Sequence, residues 1–396
     1  MAASLAERYV LLGLRLGNHV DGLVDGYFGP PELQATVESE ASPPPQELLA
    51  EADALHEEVD GAEGADDQRR RWLAGQLRGL ACVAEMASGT EVPWPEAVRR
   101  CYGLQVGPVP EERFAAAHDS LEEALPGDGD LAPRLQAWNR SQEMPADKLL
   151  VAFDALADAL RMEARELVDL PEGERLDREL VTGKPWGAYN WYLGSRRSRI
   201  DIATDLPARS YYFAELVAHE GYPGHHTEHA CKEARLVDAL GRIEASLLLI
   251  HTPECLVAEG IAQIAIEQAF DDWHARAAEI LRPLGIEFDA ETASAVTAAN
   301  LGLDHVGVNI AHFASVEGWS TERCVEYHRR WALSEEHRAQ KAVEFATHPL
   351  WSVYLPTYSY GYHLARAFAE RHADGFSRLL TEQLTTDDLL AAPAPA

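Results

Sequence analysis

Apolar residues recur at helical spacing along most of the chain. The pattern predicts helices over residues 4–25, 46–60, 66–88, 109–125 and 145–168. The first runs up to the breaker cluster Gly26-Tyr27-Phe28-Gly29-Pro30-Pro31, and turn-rich linkers such as Pro126-Gly127-Asp128-Gly129-Asp130 separate later ones. Residues 184–204 leave this period. Trp186, Tyr189, Trp191 and Tyr192 precede Gly194-Ser195, and Ile200 and Ile202 alternate after it, which reads as a β-hairpin. Asp205 and Pro207 suit the start of a further helix with Tyr212, Glu215, Leu216 and His219 on one face. Another helix opens at Thr252-Pro253, with Thr as N-cap and Pro in the first turn. From Glu254 to Ile266 it is apolar nearly all round, so it is predicted to be buried, with Glu259 inside it.

Composition narrows the class. The chain has 396 residues, enough for one large domain or two, with ordinary hydrophobic (46%) and charged (25%) fractions. Asp and Glu number 65 against 34 Lys and Arg, a formal charge of -31. So acidic a body repels phosphate backbones, and nucleic acid is excluded as a partner. Cys82, Cys101, Cys231, Cys255 and Cys324 are few, odd in number and without a C-x-x-C pair, which predicts reduced thiols and a cytoplasmic location. No apolar run is long enough to span a bilayer, and the N-terminus reads as an amphipathic helix rather than a leader.

The densest chemistry lies in His219-Glu220-Gly221-Tyr222-Pro223-Gly224-His225-His226. Four His and two Glu fall between His219 and His229. Imidazoles bind divalent metal, and an adjacent carboxylate can accept a proton from water that the metal activates. The run is close to H-E-x-x-H, but Pro223 stands at i+4 and the next histidine, His225, at i+6. On an unbroken helix those two side chains diverge. A shared metal therefore requires a break, for which Pro223 and Gly224 are suited. A buried Glu259 must be paired, by an arginine such as Arg242, or bind metal, which makes it the natural third ligand. His219, His225 and Glu259 suit catalytic zinc, with Glu220 as general base. A second frame competes: His225-His226-Thr227-Glu228-His229 fits H-x-x-E-H with regular i, i+4 spacing.

These residues resemble the domain-of-unknown-function 885 family. Its pattern H-E-x-x-P-G-H corresponds to His219 through His225, and E-G-W-A to Glu259-Gly260-Ile261-Ala262, with Ile261 in place of Trp. A histidine and G-W-S correspond to His312 and Gly318-Trp319-Ser320, more widely spaced here, and Y-x-x-G to Tyr358-Ser359-Tyr360-Gly361. The N-terminal Leu14–Gly22 and Tyr27–Pro30 segments are also similar, so the resemblance covers most of the chain. It implies a helical fold similar to gluzincin-type zinc peptidases and the ligand set His219, His225 and Glu259, leaving His226 and His229 as outer-shell or surface residues. It assigns no secure role to His312. A phenol can stabilise an oxyanion. The family position selects Tyr358 for that role and leaves Tyr354 and Tyr360 as core.

The expected fold is mainly α: a large helical bundle enclosing a central cleft, with a small β-hairpin or short sheet beside the metal-site helix. Residues 1–175 would cap the cleft, 176–390 would carry the site in a continuous unit, and 391–396 would be a disordered tail. The expected activity is zinc-dependent hydrolysis of a peptide or small amide substrate. The alternatives are a two-His-one-carboxylate iron enzyme and a non-catalytic binding protein.

Overall fold

The computed structural model describes residues 3–61, 66–184 and 186–391; all of the expected tail except Ala391 lies outside them. The fold is mainly α, as the periodicity predicts. Helices Pro45–Asp60, Asp67–Ala87 and Glu111–Ala124 match the predicted spans to within two residues, and Leu149–Leu167 follows a short 3₁₀ turn at Ala146–Lys148. The first helix is shorter than expected. It starts at Leu5 with a Ser4–Glu7 capping box and stops at Gly17, where Asn18 caps it. Val24–Tyr27 is instead a strand, paired antiparallel with Leu247–Leu249. That pairing ties the N-terminal helices to the segment that leads into helix Pro253–Ala269.

The hairpin forms from Ala188–Gly194 and Arg197–Ala203. Ser195 and Arg196 both have positive φ. The Glu233 carboxylate accepts both their N–H groups, at 2.9 and 2.7 Å, and so holds the tight turn. A third strand, Arg175–Val181, joins parallel to Arg197–Ala203, leaving Ala188–Gly194 at the sheet edge. The following helix begins at Ser210, later than Asp205 and Pro207 suggest.

Helix Pro253–Ala269 is buried along its whole length, as expected. Pro253 stands in its first turn, but Thr252 does not cap it: its hydroxyl donates to the Leu249 carbonyl. Helices Ser210–Glu220 and Pro356–Arg371 pack against it. A large apolar core runs from Leu121 to Leu333 and joins Phe153, Leu160, Ile200, Phe213 and Val217. It crosses position 175, so the residues on either side of that position share one interior. A second core packs Tyr9, Leu12, Leu48, Leu55 and Leu77 against Leu247 and Leu249. No described helix is long and apolar enough to cross a membrane.

Candidate metal centre and its cavity

Helix Ser210–Glu220 ends at Gly221, and helix His225–Lys232 starts four residues later. The chain turns back across the end of the first helix, where Gly224 N–H donates to the Ala218 carbonyl at 3.0 Å. A Cβ on Gly224 would strike the carbonyl oxygens of Ala218 and His219, so only glycine permits this crossing. The break turns His225 back toward His219: their rings lie edge to face, 4.8 Å apart. Helix Pro253–Ala269 brings Glu259 to the same point. His219 Nε2 is 3.9 Å from Glu259 Oε2, and His225 Nε2 is 3.7 Å from Glu259 Oε1. One ligand atom from each of the three lies within 4.8 Å of the others.

The Glu259 carboxylate is held on one side only. The Tyr354 hydroxyl donates to Oε1 at 2.6 Å, while Oε2 is buried without a partner. His225 Nδ1 is likewise unpartnered, 3.8 Å from the equally unpartnered Glu228 Oε2. Arg242 does not pair with Glu259; it bonds Asp66 and Gln383. A buried acceptor without a donor costs about 1–3 kcal/mol, and a cation between Glu259 and the two imidazoles would remove that cost at Glu259 Oε2.

The electrostatics favour positive charge at this point. Burial opposes a charge on His225, but the carboxylates of Glu228, Glu259 and Glu220 outweigh it and raise the imidazole to about 9. Burial and the neighbouring His225 hold His219 well below its ordinary value, so it is neutral and has a free lone pair. Burial, together with the charges of Glu259 and Asp25, raises Glu220 to about 7 against the opposing pull of His225. A carboxyl at that value can take and return a proton near neutrality. Asn190 Nδ2, on the edge strand, donates to the main-chain carbonyl of Glu220 at 2.5 Å.

All these groups line one cavity of about 420 Å³, which Tyr354, Tyr358, Tyr189, Trp186 and Asp25 also border. Tyr358 is 40% exposed, its ring set edge-on against Tyr354 at 5.3 Å. Tyr354 is therefore not simply core, as the sequence reading has it. It bonds Glu259 directly, and only its spacing of one helical turn from Tyr358 hinted at this. Tyr360 packs beside His305, away from the cavity lining. His312 lies edge-on to Trp94 and outside that lining as well.

Neither His226 nor His229 is on the surface. His226 is fully buried between Ser198 Oγ (2.8 Å) and Glu174 Oε2 (3.1 Å). His229 stacks parallel to His225 with ring centroids 5.9 Å apart, and burial pushes it down to about 3. The competing frame, with His225 and His229 as ligands, does not form the close three-residue cluster that includes Glu259. Glu228 instead bonds Lys232 at 2.7 Å, and Lys232 also bonds Glu254, in a buried ion-paired chain beneath His225.

No family model matches the chain, and no curated protein matches it. The fold is similar to the crystal structure of a candidate lipoprotein from Colwellia psychrerythraea, with a TM-score of 0.52 and 14% identity over 86% of this chain and 65% of that one. It is also similar to a candidate lipoprotein of unknown function from Shewanella oneidensis, with a TM-score of 0.50 and 12% identity over 94% of this chain and 76% of that one. This chain thus spans just under two thirds of the first structure, and at these identities the likeness is one of fold.

Proposed function

We propose that this protein is a zinc-dependent hydrolase of peptide or related small amide bonds, related to the domain-of-unknown-function 885 family and working in a reducing, cytoplasmic setting. The observation that carries the reading is the convergence of His219, His225 and Glu259, with Glu259 Oε2 buried and unpartnered. Two imidazole nitrogens and one carboxylate oxygen are the donor set of catalytic zinc, and they would hold the ion here. Zinc bound there supplies Lewis acidity, which polarises a carbonyl and lowers the pKa of water. Glu220 takes a proton from the attacking water and returns it to the leaving amine. Tyr358, on the facing helix, donates a hydrogen bond to the oxygen that becomes negative. Glu228 Oε2 stands 3.8 Å behind His225 Nδ1, where its charge favours a proton on that nitrogen and leaves Nε2 directed toward Glu259. The same donor set also suits non-haem iron, but a base beside the first histidine has no task in oxygen chemistry and favours hydrolysis.

Glu220→Gln separates the roles. It is expected to keep about one zinc per chain and to lower turnover of a peptide library by roughly 100- to 10,000-fold. If the variant loses its zinc as His219→Ala does, Glu220 is a ligand and this mechanism is wrong.

A further inference from the structure

The acidic residues around the cavity differ in what neutralises them. Asp25, Glu220, Glu228, Glu254 and Glu259 line it, and Lys232 is the one Lys or Arg among the described lining residues. Lys232 is already taken by Glu228 and Glu254. Glu259 belongs to the ligand set, and Glu220 is the base. Asp25 alone has neither a cation nor a task. It sits on strand Val24–Tyr27, solvent-accessible within the cavity, and no Lys or Arg among the described residues pairs with it. Its one side-chain partner is the Tyr189 hydroxyl, which donates to Oδ1. Trp186, stacked at 5.7 Å, and Trp191, at 4.6 Å, hold the Tyr189 ring. Tyr189 is the neighbour of Asn190, which bonds the Glu220 carbonyl, so the edge strand connects Asp25 to the base. Enclosure within the cavity raises the Asp25 carboxyl above its ordinary value, with the Tyr189 bond and the His225 charge opposing; a cation beside it would reverse that effect.

We infer that Asp25, oriented by Tyr189, is the anchor for the ammonium group of the substrate, and that the substrate class is a short peptide with a free amino terminus. This rests on the hydrolase reading above. A cavity of about 420 Å³ accepts a ligand of a few residues. The uncompensated Asp25 carboxylate repels a substrate carboxylate and attracts an amine. Such an anchor sets the distance from the amino end to the bond beside Glu220, which makes the activity that of an exopeptidase acting at that end.

Binding without turnover tests this. Trialanine and N-acetyl-trialanine are titrated calorimetrically into zinc-loaded Glu220→Gln protein. Trialanine is expected to bind roughly 10- to 100-fold tighter, the worth of one charge-assisted hydrogen bond. Asp25→Asn, introduced in the same background, is expected to abolish that preference with zinc content unchanged. Tyr189→Phe keeps the ring and removes the hydroxyl; it is expected to weaken the preference and stands in if Asp25→Asn does not fold. Equal affinity for the two peptides overturns the anchor and leaves the hydrolase reading standing. N-acetyl-Ala-Lys-Ala binding as tightly as trialanine overturns the assignment to the amino terminus. Binding of neither peptide overturns the anchor, and an unmodified protein that also cleaves no amide takes the hydrolase reading down with it.

Discussion

His219, His225 and Glu259 form one of two clusters of metal-ligand type among the described residues; Asp304, His305 and His363 form the other. By residue type the two are alike, and they differ in what their lone pairs are doing. Asp304 Oδ1 accepts from Arg113 at 2.7 Å and from the His305 ring at 2.6 Å, and Oδ2 meets the His363 ring at 3.1 Å. Burial alone would raise the Asp304 carboxyl; these partners outweigh it and hold it below its ordinary value. The cluster is complete without an ion, and its arginine already supplies the positive charge. Around Glu259 no arginine arrives; its Oε2 is unpartnered and lies 3.9 Å from His219 Nε2, while His225 Nε2 lies 3.7 Å from its Oε1. Ligand-type residues in proximity therefore do not make a metal centre; unspent lone pairs do.

Metal retention breaks or upholds this contrast with the largest effect. Glu259→Ala is expected to weaken zinc binding by more than about 100-fold, because it removes one of three ligands and its anionic charge. Asp304→Asn is expected to leave zinc stoichiometry unchanged. Metal analysis after exhaustive dialysis reads both. Zinc that survives Glu259→Ala, or that leaves with Asp304→Asn, would place the ion elsewhere.

What could be read in advance follows the range of the interactions. Helices Pro45–Asp60 and Asp67–Ala87 are long and periodic, and their spans stand in the sequence. Pro31–Ser39 and Trp94–Tyr102, nine residues each, are too short for periodicity to separate from their Pro-rich surroundings. Strand Arg175–Val181 is rich in charge, and it is a strand because Arg197–Ala203 pairs with it, a partner that no local pattern announces. At the site, His219, Glu220 and His225 share one run of sequence, and the Pro-Gly break between them is where the helix is interrupted. Glu259 was accessible through the cost of burying a carboxylate. Asp25 was not. It is brought to the cavity by the pairing of Val24–Tyr27 with Leu247–Leu249, in a stretch whose periodicity reads as helix. Tyr354 was hidden by the ordinary tendency of aromatic clusters to be core.

A third histidine–carboxylate pair lies just behind the open site and is as saturated as the Asp304 cluster. Glu174 accepts from Tyr222, from Arg161 and from His226. Burial would raise its carboxyl, but the bonds from His226, Tyr222 and Arg161 outweigh that and hold it at about 2, against an ordinary 4.5. A folded value below the unfolded one gives stability that is present above pH 4.5 and is lost as pH falls toward 2. A displacement of that size corresponds to at most about 3 kcal/mol. Glu174→Gln is expected to be destabilised at neutral pH and to converge with the unmodified protein as pH falls through that window. Urea unfolding at stepped pH measures the gap. A gap that stays constant from pH 6 to about 3 would mean that the carboxylate's charge does not matter to the fold.

The smallest expected effect concerns how the open site keeps its geometry. The centre depends on a close helix crossing. A Cβ on Gly260 would lie 2.5 Å from the Gly361 carbonyl oxygen and 2.9 Å from Ala365 Cβ, so helices Pro253–Ala269 and Pro356–Arg371 meet with no side chain between them. Glu259 is the preceding residue, and its bond from Tyr354 reaches the turn that leads into helix Pro356–Arg371. In an ordinary helix Gly→Ala gains about 1 kcal/mol. Here the obstacle is backbone and cannot rotate away, and forcing an extra methyl into a packed contact costs about 1–3 kcal/mol, occasionally more. Overpacking wins, and Gly260→Ala is expected to lose about 2 kcal/mol of stability. Because the helices must separate, Glu259 is carried away from His219 and His225, and zinc affinity is expected to fall with stability. Thermal unfolding and a zinc titration of the same variant decide it: a raised Tm with unchanged zinc affinity would show that the crossing has room for a side chain and that the position of Glu259 does not depend on it.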